Sequence, residues 1–329
     1  MTLEQHVDRI VGTLQGGAVG DALGVPYEYG TRRLDGEPAM LGGGLGGYAP
    51  GQWSDDTEMA SVIAQVAATG VDLRSDEALD AIADGFIGWY RQGPADVGTQ
   101  TASVLRGQEP GPGSADRLRL RALEVHRRTG RSGGNGSLMR TGPVALAHLG
   151  DPVAIVEAAT AVSVLTHWDP EAGEACAIWC LAIDAAVLHG RLDVTSRMHH
   201  LRDDSARHWI PRLEEAARLD PAAYGSSNGW VVAALQGAWA AVARSSGPED
   251  GLFAAVRGGG DTDTVAAIAG ALLGAAHGGS SLRAEWRDRV HGWPGLDGHD
   301  LAGLAATIGR HATARAYDGD LPVLDRPRR

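Results

Sequence analysis

The sequence predicts a single all-α domain, on three observations. Helical periodicity recurs along the chain, whereas convincing alternating strand patterns are absent. The hydrophobic content of 43% in 329 residues is sufficient for a substantial core. No linker of low complexity divides the chain. We therefore expect one compact multi-helix domain over residues 1–320, followed by a disordered tail at 321–329. The periodic segments are 54–69, 75–91, 152–164, 171–189, 228–243, 262–276 and 298–312.

Glycine positions complete this outline of the fold. The glycine-rich stretch 16–20 is expected to close the first helix as a loop that leads to Glu28. Other glycines lie between helices and predict shaped loops, at 42–47, 107–113, 133–136 and 258–260. Segment 171–189 is apolar on nearly every side, which is typical of a central buried helix. A further helix is expected to begin near Ser137.

Bulk composition excludes several classes of protein. The formal net charge of −12 argues against a nucleic-acid surface, and the one short basic run is Arg326–Arg329. Cys176 and Cys180 are spaced to share a helix face, as buried thiols of a reduced intracellular protein do. The charged N-terminus does not resemble a signal peptide, and no uncharged apolar run reaches about 18 residues. We expect a cytoplasmic protein without a membrane partner; the oligomeric state stays open, with a monomer favoured.

Two acidic clusters are the most informative feature of the chain. They are Ser54-Asp55-Asp56-Thr57 and Asp261-Thr262-Asp263-Thr264, and each stands where a turn gives way to a helix. Helix capping is the structural alternative, and Asp55 followed by Glu58 resembles a capping box. One cap needs one acceptor, however, so paired carboxylates at two helix starts favour a shared metal site. Hard oxygen ligands without cysteine suit Mg²⁺ or Mn²⁺ better than Zn²⁺.

Five further features carry candidate chemistry, each with a structural alternative. Asp21 is more typical of a structural acceptor for backbone amides. Glu28 and Asp96 lie in loops, where Glu28 could be a solvated acid and Asp96 a cap of a helix that begins near Thr99. The small residues of loop 131–137 would expose amides to a phosphate, or would form a hinge. His167 precedes the apolar helix and could be a satisfied hydrogen-bond partner.

Five ordered motifs together resemble the ADP-ribosylglycohydrolase family. They are GDALGVPYE (20–28), SDDTEM (54–59), GNGSLMR (134–140), THWDP (166–170) and GGDTDTVAAIAGALLGA (259–275). The resemblance covers most of the chain. It implies an all-α fold of the family's type, with two divalent cations, Mg²⁺ or Mn²⁺. It also implies cleavage of the bond between ADP-ribose and an acceptor such as an arginine or serine side chain.

The resemblance also assigns roles residue by residue. The metal ligands would be Ser54, Asp55, Asp56, Asp261, Asp263 and Thr264. The catalytic carboxylates would be Glu28 and Asp96, the latter in the Asp-x-Gly motif associated with arginine-linked substrates. The substrate-binding residues would be Gly98, Thr99, Ser132, Gly133, Gly134, Asn135, Gly136, Ser137, Met139 and His167. One departure is Gly133, where the serine-directed branch carries an aromatic residue, so the resemblance favours arginine-linked substrates.

These features support an ADP-ribosyl-acceptor hydrolase, and several alternatives stay open. The two cations would grip the distal ribose and polarise a water, while Glu28 or Asp96 acts as general acid or base. The substrate would be an ADP-ribosylated protein or a small ADP-ribose conjugate, with nucleic acid only as a modified substrate. The alternatives are a serine-linked or O-acetyl-ADP-ribose hydrolase, a metal phosphohydrolase and a non-catalytic binder on the same fold.

Overall fold

The computed structural model describes residues 2–318, and it is all-α, as predicted. Its only strands are two short antiparallel ones, β1 (His291–Gly292) and β2 (Leu296–Asp297). The predicted tail 321–329 lies outside the described residues. The helices are α1 (Leu3–Gly24), α2 (Asp55–Ala67), α3 (Asp76–Arg91), α4 (Thr99–Leu105), α5 (Ser114–Thr129), α6 (Gly142–Ala147), α7 (Pro152–Ser163), α8 (Pro170–His189), α9 (Asp203–Ala216), α10 (Val231–Ala243), α11 (Pro248–Arg257), α12 (Thr262–His277), α13 (Ala284–Arg289) and α14 (Gly298–Asp318).

Helices α1 and α12 form the closest pair in the fold. A Cβ atom on Gly16 would lie 2.2 Å from the carbonyl oxygen of Gly270, and one on Gly274 would lie 1.8 Å from that of Gly12. Only glycine allows the two backbones to approach so closely. The expectation of a loop at 16–20 is therefore wrong: these glycines lie inside α1, which continues to Gly24. They serve packing, because a side chain at Gly12, Gly16 or Gly20 would meet the backbone of α12.

Helix α8 lies in the middle of the core, as its composition predicted. Its residues from Ala175 to Val187 are all buried. Among the described residues it is the one helix long and apolar enough to cross a membrane. However, 83% of its most apolar window is buried inside the protein, as in a core helix.

The seven periodic segments all correspond to helices, but the sequence analysis did not predict three amphipathic helices. These are α5, α9 and α11. In α5 the buried positions Leu118, Ala122 and Val125 stand among five arginines, so polar residues mask the apolar stripe. The helix expected near Ser137 is a single 3₁₀ turn, Asn135–Ser137, and α6 begins at Gly142.

The end of α1 and the start of α12 meet at one place. The Thr262 hydroxyl donates to the carbonyl oxygen of Gly24 at 2.8 Å, and the amide of Tyr29 donates to that of Gly260 at 2.7 Å. A Cβ atom on Gly24 would lie 2.4 Å from the Cα atom of Asp263. The segment after α1 is therefore fixed against the second acidic cluster, and this contact builds the site.

Candidate active site

Asp21 fixes the start of α2 through hydrogen bonds, so the acids of α2 itself do not serve as its cap. Its two carboxylate oxygens accept hydrogen bonds from the amide and hydroxyl of Ser54 and from the amide and hydroxyl of Thr57, at 2.6–3.0 Å. The expected capping box is not formed, because Glu58 instead accepts a hydrogen bond from Trp89 Nε1 at 2.6 Å. Asp21 therefore acts as the structural acceptor that its sequence context favoured. The Asp55 carboxylate takes no part in these hydrogen bonds.

The start of α12 is fixed by two asparagines from distant loops. Asp261 occupies the cap position without capping its helix through its side chain. Its amide donates to Asn228 Oδ1 at 2.9 Å, and its Oδ2 accepts from Asn135 Nδ2 at 2.7 Å and from the Tyr29 hydroxyl at 3.2 Å. Because these donors bind one carboxylate oxygen, the other oxygen of Asp261 stays available.

The fold brings the two acidic clusters together. Carboxylate oxygens of Asp21, Asp56 and Asp263 lie within 4.8 Å of one another, and so do those of Glu28, Asp261 and Asp263. All five of these acids are buried. Asp263 is common to both groups, so the clusters form one continuous acidic site.

The electrostatics of this site are those of an uncompensated negative charge. Burial, with the neighbouring carboxylates, raises the pKa of Asp55, Asp56 and Asp263 well above its ordinary value. None of these three carboxylates forms an ion pair with a described side chain, that is, within residues 2–314. The buried Oδ1 of Asp56 also lacks a hydrogen-bond partner. Buried oxygen ligands with unbalanced charge fit hard divalent cations.

A cleft of about 380 Å³ opens onto the acidic site. Most of the predicted site residues line it: Glu28, Asp55, Asp96, Gly98, Thr99, Gly134, Asn135, Gly136, Met139, His167, Asp261, Asp263 and Thr264. Glu28 is 6% exposed. Burial, then the charges of Asp261 and Asp96, raise its pKa to about 8. In the metal-free protein the Glu28 carboxyl therefore keeps its proton near neutral pH, the form that a general acid requires.

Asp96 stands at the rim of the cleft and caps no helix. Helix α4 has Gly98 at its cap position and no side-chain cap, and the Oδ1 of Asp96 accepts only from the adjacent amide of Val97, at 2.8 Å. The capping alternative for Asp96 is thus wrong. The half-buried carboxylate of Asp96 is free to face a ligand.

The small-residue loop 131–137 lies beside the cleft, but more of its amides form hydrogen bonds within the protein than its sequence suggested. The amide of Gly134 donates to Gln100 Oε1 at 3.3 Å and that of Asn135 donates to the Gly229 carbonyl oxygen at 3.2 Å. Two of the expected free amides are therefore already bonded. Gly136 lines the cleft.

Three of the predicted substrate-binding residues do not line the cleft. The Ser132 hydroxyl lies 2.5 Å from His126 Nδ1, and the Ser137 hydroxyl accepts from Ser163 at 2.9 Å. Both serines are buried on the core side of the loop. Gly133 instead faces an indole, because a Cβ atom there would lie 3.5 Å from Trp230 Cδ1.

With this geometry in view, comparisons with known proteins identify the family. The family model described as ADP-ribosylglycohydrolase matches residues 2–317. The chain belongs to the ADP-ribosylglycohydrolase family. It is 31% identical over 303 residues to ADP-ribosylarginine hydrolase Tri1 of Pseudomonas putida (strain GB-1), covering 88% of this chain and 76% of that protein.

Other relatives agree with this assignment. The chain is 30% identical to the ADP-ribosyl-[dinitrogen reductase] glycohydrolase of Rhodospirillum rubrum, covering 86% of this chain and 90% of that protein. A solved structure titled "ADP-ribosylglycohydrolase-related protein complex" superimposes with a TM-score of 0.69 and 27% identity, over 94% of this chain and 100% of that one. The protein is accordingly a hydrolase that acts on ADP-ribosyl glycosidic bonds, and family members are generally metal-dependent.

Several residues of this glycohydrolase site had no distinct sequence signal. Tyr29 and Gln100 line the cleft, and Asn228 fixes Asp261 from a loop that only the fold brings near. Tyr29 adjoins Glu28 and adopts a positive φ of 45°, rare for a residue with a side chain. The position of Tyr29 next to Glu28 in the sequence could have suggested that it belongs to the site. Nothing in the sequence pairs Gln100 or Asn228 with the site.

Proposed function

We propose that this glycohydrolase releases ADP-ribose from arginine side chains of modified proteins. The single observation that carries the proposal is the free carboxylate of Asp96 at the rim of the cleft, facing the buried acids. A carboxylate there can pair with a guanidinium through two parallel hydrogen bonds, which a serine linkage cannot offer. The similarity to a protein named ADP-ribosylarginine hydrolase supports the same choice of acceptor.

We further propose that the acidic site holds two divalent cations, Mg²⁺ or Mn²⁺. The residues that would hold them are Ser54, Asp55, Asp56, Asp261, Asp263 and Thr264. When bound, such cations supply Lewis-acid polarisation of ribose hydroxyls or of water. Asp21 is better assigned to the protein than to the metal, because its oxygens already accept four hydrogen bonds.

The chain's own residues then perform the remaining steps. Asp96 would orient the guanidinium, and Glu28 would deliver a proton to the departing nitrogen as the glycosidic bond breaks through an oxocarbenium-like state. Water would then add to the anomeric carbon and return a proton to Glu28, which completes the hydrolysis. Gly136 and His167, which line the cleft, would contact the diphosphate. Binding the diphosphate away from the reacting bond would position the ribose against Glu28.

The test compares two linkages in the same assay. Asp96→Ala should lower kcat/KM on an ADP-ribosyl-arginine peptide by about 10²-fold or more, the range of a lost positioned carboxylate. The loss on the matched ADP-ribosyl-serine peptide should be much smaller. Asp116→Ala removes a surface acid that pairs with Arg119 and serves as the control.

Mass spectrometry of the products completes the experiment. Free ADP-ribose and unmodified arginine are expected, whereas AMP would indicate cleavage of the phosphoanhydride instead. A faster reaction on the serine linkage, unchanged in Asp96→Ala, would refute the proposed acceptor.

A further inference from the structure

A buried arginine without an ion pair lies behind the cleft. Arg140 is fully buried, and it pairs with no carboxylate among the side chains of residues 2–314, which the structure describes. Its Nη2 donates to the Thr166 hydroxyl at 2.7 Å, and its guanidinium carbon lies 4.3 Å from the centre of the Phe86 ring. Burying a charge is costly, so a guanidinium kept in this place calls for a function.

The Thr166 hydroxyl connects Arg140 to His167. Its oxygen lies 2.7 Å from His167 Nδ1, and all three side chains are buried. Arginine can only donate, so Arg140 occupies a lone pair of the hydroxyl oxygen. The hydroxyl has one hydrogen. In the described residues, Nδ1 of His167 is the acceptor within reach of it.

This count of hydrogens selects one form of the His167 ring. If Nδ1 carried a hydrogen, the Thr166 oxygen would accept from both neighbours, and its own hydrogen would be buried without an acceptor. Leaving a buried hydroxyl hydrogen unsatisfied is strongly disfavoured. The hydrogen of a neutral His167 therefore belongs on Nε2. Burial and the charge of Arg140 lower the pKa of His167 well below its ordinary value, which agrees with a neutral ring.

The Nε2 atom faces the loop where the diphosphate would bind. A Cβ atom on Gly134 would lie 3.4 Å from Nε2, and one on Gly136 would lie 3.3 Å from it, so the ring edge lies directly against these glycines. His167 also lines the cleft. The amides of Gly134 and Asn135 already have acceptors, so the ring edge of His167 offers a donor position beside them for an anionic ligand.

We propose that Arg140 and Thr166 are positioning residues that hold His167 as the neutral Nε2–H form, so that its ring donates a hydrogen bond to the diphosphate of ADP-ribose. This inference rests on the proposed function for the identity of the ligand. The form of the ring itself does not depend on catalysis. Arg140 acts only through Thr166 and does not touch the substrate.

The first test observes the ring directly. Long-range ¹H–¹⁵N correlation spectra of histidine-labelled protein without ligand should show His167 with hydrogen on Nε2 only. A hydrogen on Nδ1, or on both nitrogens near pH 7, would overturn the inference. This readout requires no activity, so a protein with the Nε2–H form but no hydrolysis would refute the proposed function and not the ring assignment.

The second test removes the connecting hydroxyl. Thr166→Val should let the Nδ1–H form appear and weaken the binding of ADP-ribose about 10-fold, as expected for one hydrogen bond to a charged group. Thr166→Ser keeps a hydroxyl and should retain both properties. Thr13→Val is the matched control, since the Thr13 hydroxyl is buried and donates within α1 to the Arg9 carbonyl oxygen.

A further variant keeps the test decisive in case Thr166→Val does not fold. If Thr166→Val does not fold, Thr166→Ala decides, because it removes the same hydroxyl and should also release the Nδ1–H form. Unchanged ring form and unchanged ADP-ribose affinity in a folded Thr166→Val would overturn the inference.

Discussion

At the scale of single residues, the buried carboxylates divide into two kinds by their hydrogen bonds. Asp21 accepts from four protein donors and stabilises the start of α2. Asp261 accepts on one oxygen from Asn135 and Tyr29, and Asp56 has a buried oxygen with no partner. The same residue type thus serves structure in one case and is available to a ligand in the other.

This division predicts opposite results for two identical substitutions. Asp261→Asn should abolish turnover and weaken the binding of divalent cations while leaving the free energy of unfolding of the metal-free protein nearly unchanged, because the amide oxygen can still accept from Asn135. Asp21→Asn should cost about 2 kcal/mol or more, because an amide NH₂ then faces the donors of Ser54 or Thr57. Urea unfolding in EDTA, with metal-binding isotherms, measures both.

The opposite pattern would contradict this assignment of roles. Wild-type turnover of Asp261→Asn in limiting Mg²⁺ would exclude it as a ligand. An Asp21→Asn protein of unchanged stability would place Asp21 among the residues that serve the ligand.

How far residues could be predicted from the sequence depends on how local their role is. The two acidic clusters and Glu28 stand in short motifs, so their proximity could be expected. The partners Asn228 and Gln100 were missed, because only the tertiary fold brings them to the site. The sequence also could not predict that the Ser132 side chain faces the core and not the cleft, since the direction of a loop side chain depends on the residues packed around it.

At the scale of elements, the site depends on the contact between α1 and α12. Asp21 lies in the last turn of α1 and Asp263 lies in the first turn of α12, and glycines along the contact let the backbones touch. The small residues of α12 predicted close packing, but the partner helix was hidden by the interpretation of glycines as loop formers. Glycine in a helix and glycine in a loop give the same local signal.

This contact predicts a contrast between adjacent glycines of α1. Gly16→Ala should lower the free energy of unfolding by about 1–3 kcal/mol, because its Cβ atom would lie 2.2 Å from the Gly270 carbonyl oxygen. Gly17→Ala is the control: its Cβ atom would have no contact closer than 3.7 Å, and alanine favours the helix by about 0.5–1 kcal/mol. Denaturant titration should place the two variants on opposite sides of the wild type. Equal stabilities would contradict the close contact.

At the scale of the whole molecule, the acidic site makes stability depend on pH and on metal. In the metal-free protein, burial and the neighbouring charges raise the pKa of Glu28 from 4.5 to about 8, and burial raises that of Asp21 from 3.8 to about 6. The folded chain therefore holds these protons more tightly than the unfolded chain does. The resulting stability is complete below the unfolded pKa values and is lost as pH rises through the folded ones.

We therefore expect the melting temperature in EDTA to fall as pH rises from about 4 to about 8. Saturating Mg²⁺ should oppose this fall and stabilise the protein more at the upper end of the range, because cations bind the deprotonated site. Glu28→Gln, which cannot ionise, should show a smaller fall in EDTA. A melting temperature that is independent of pH in this range, or stabilisation by Mg²⁺ only at low pH, would contradict the account.

The central claim is that two acidic clusters from opposite ends of the chain form one site for two divalent cations. Electron paramagnetic resonance of the protein titrated with Mn²⁺ tests it most directly. Two Mn²⁺ ions in one carboxylate site lie about 3.5–4 Å apart, so we predict saturation at two ions per chain with a spin-coupled spectrum. Both Asp56→Asn and Asp263→Asn should remove the coupling. A spectrum of isolated Mn²⁺ ions at saturation, unaffected by either substitution, would contradict the claim.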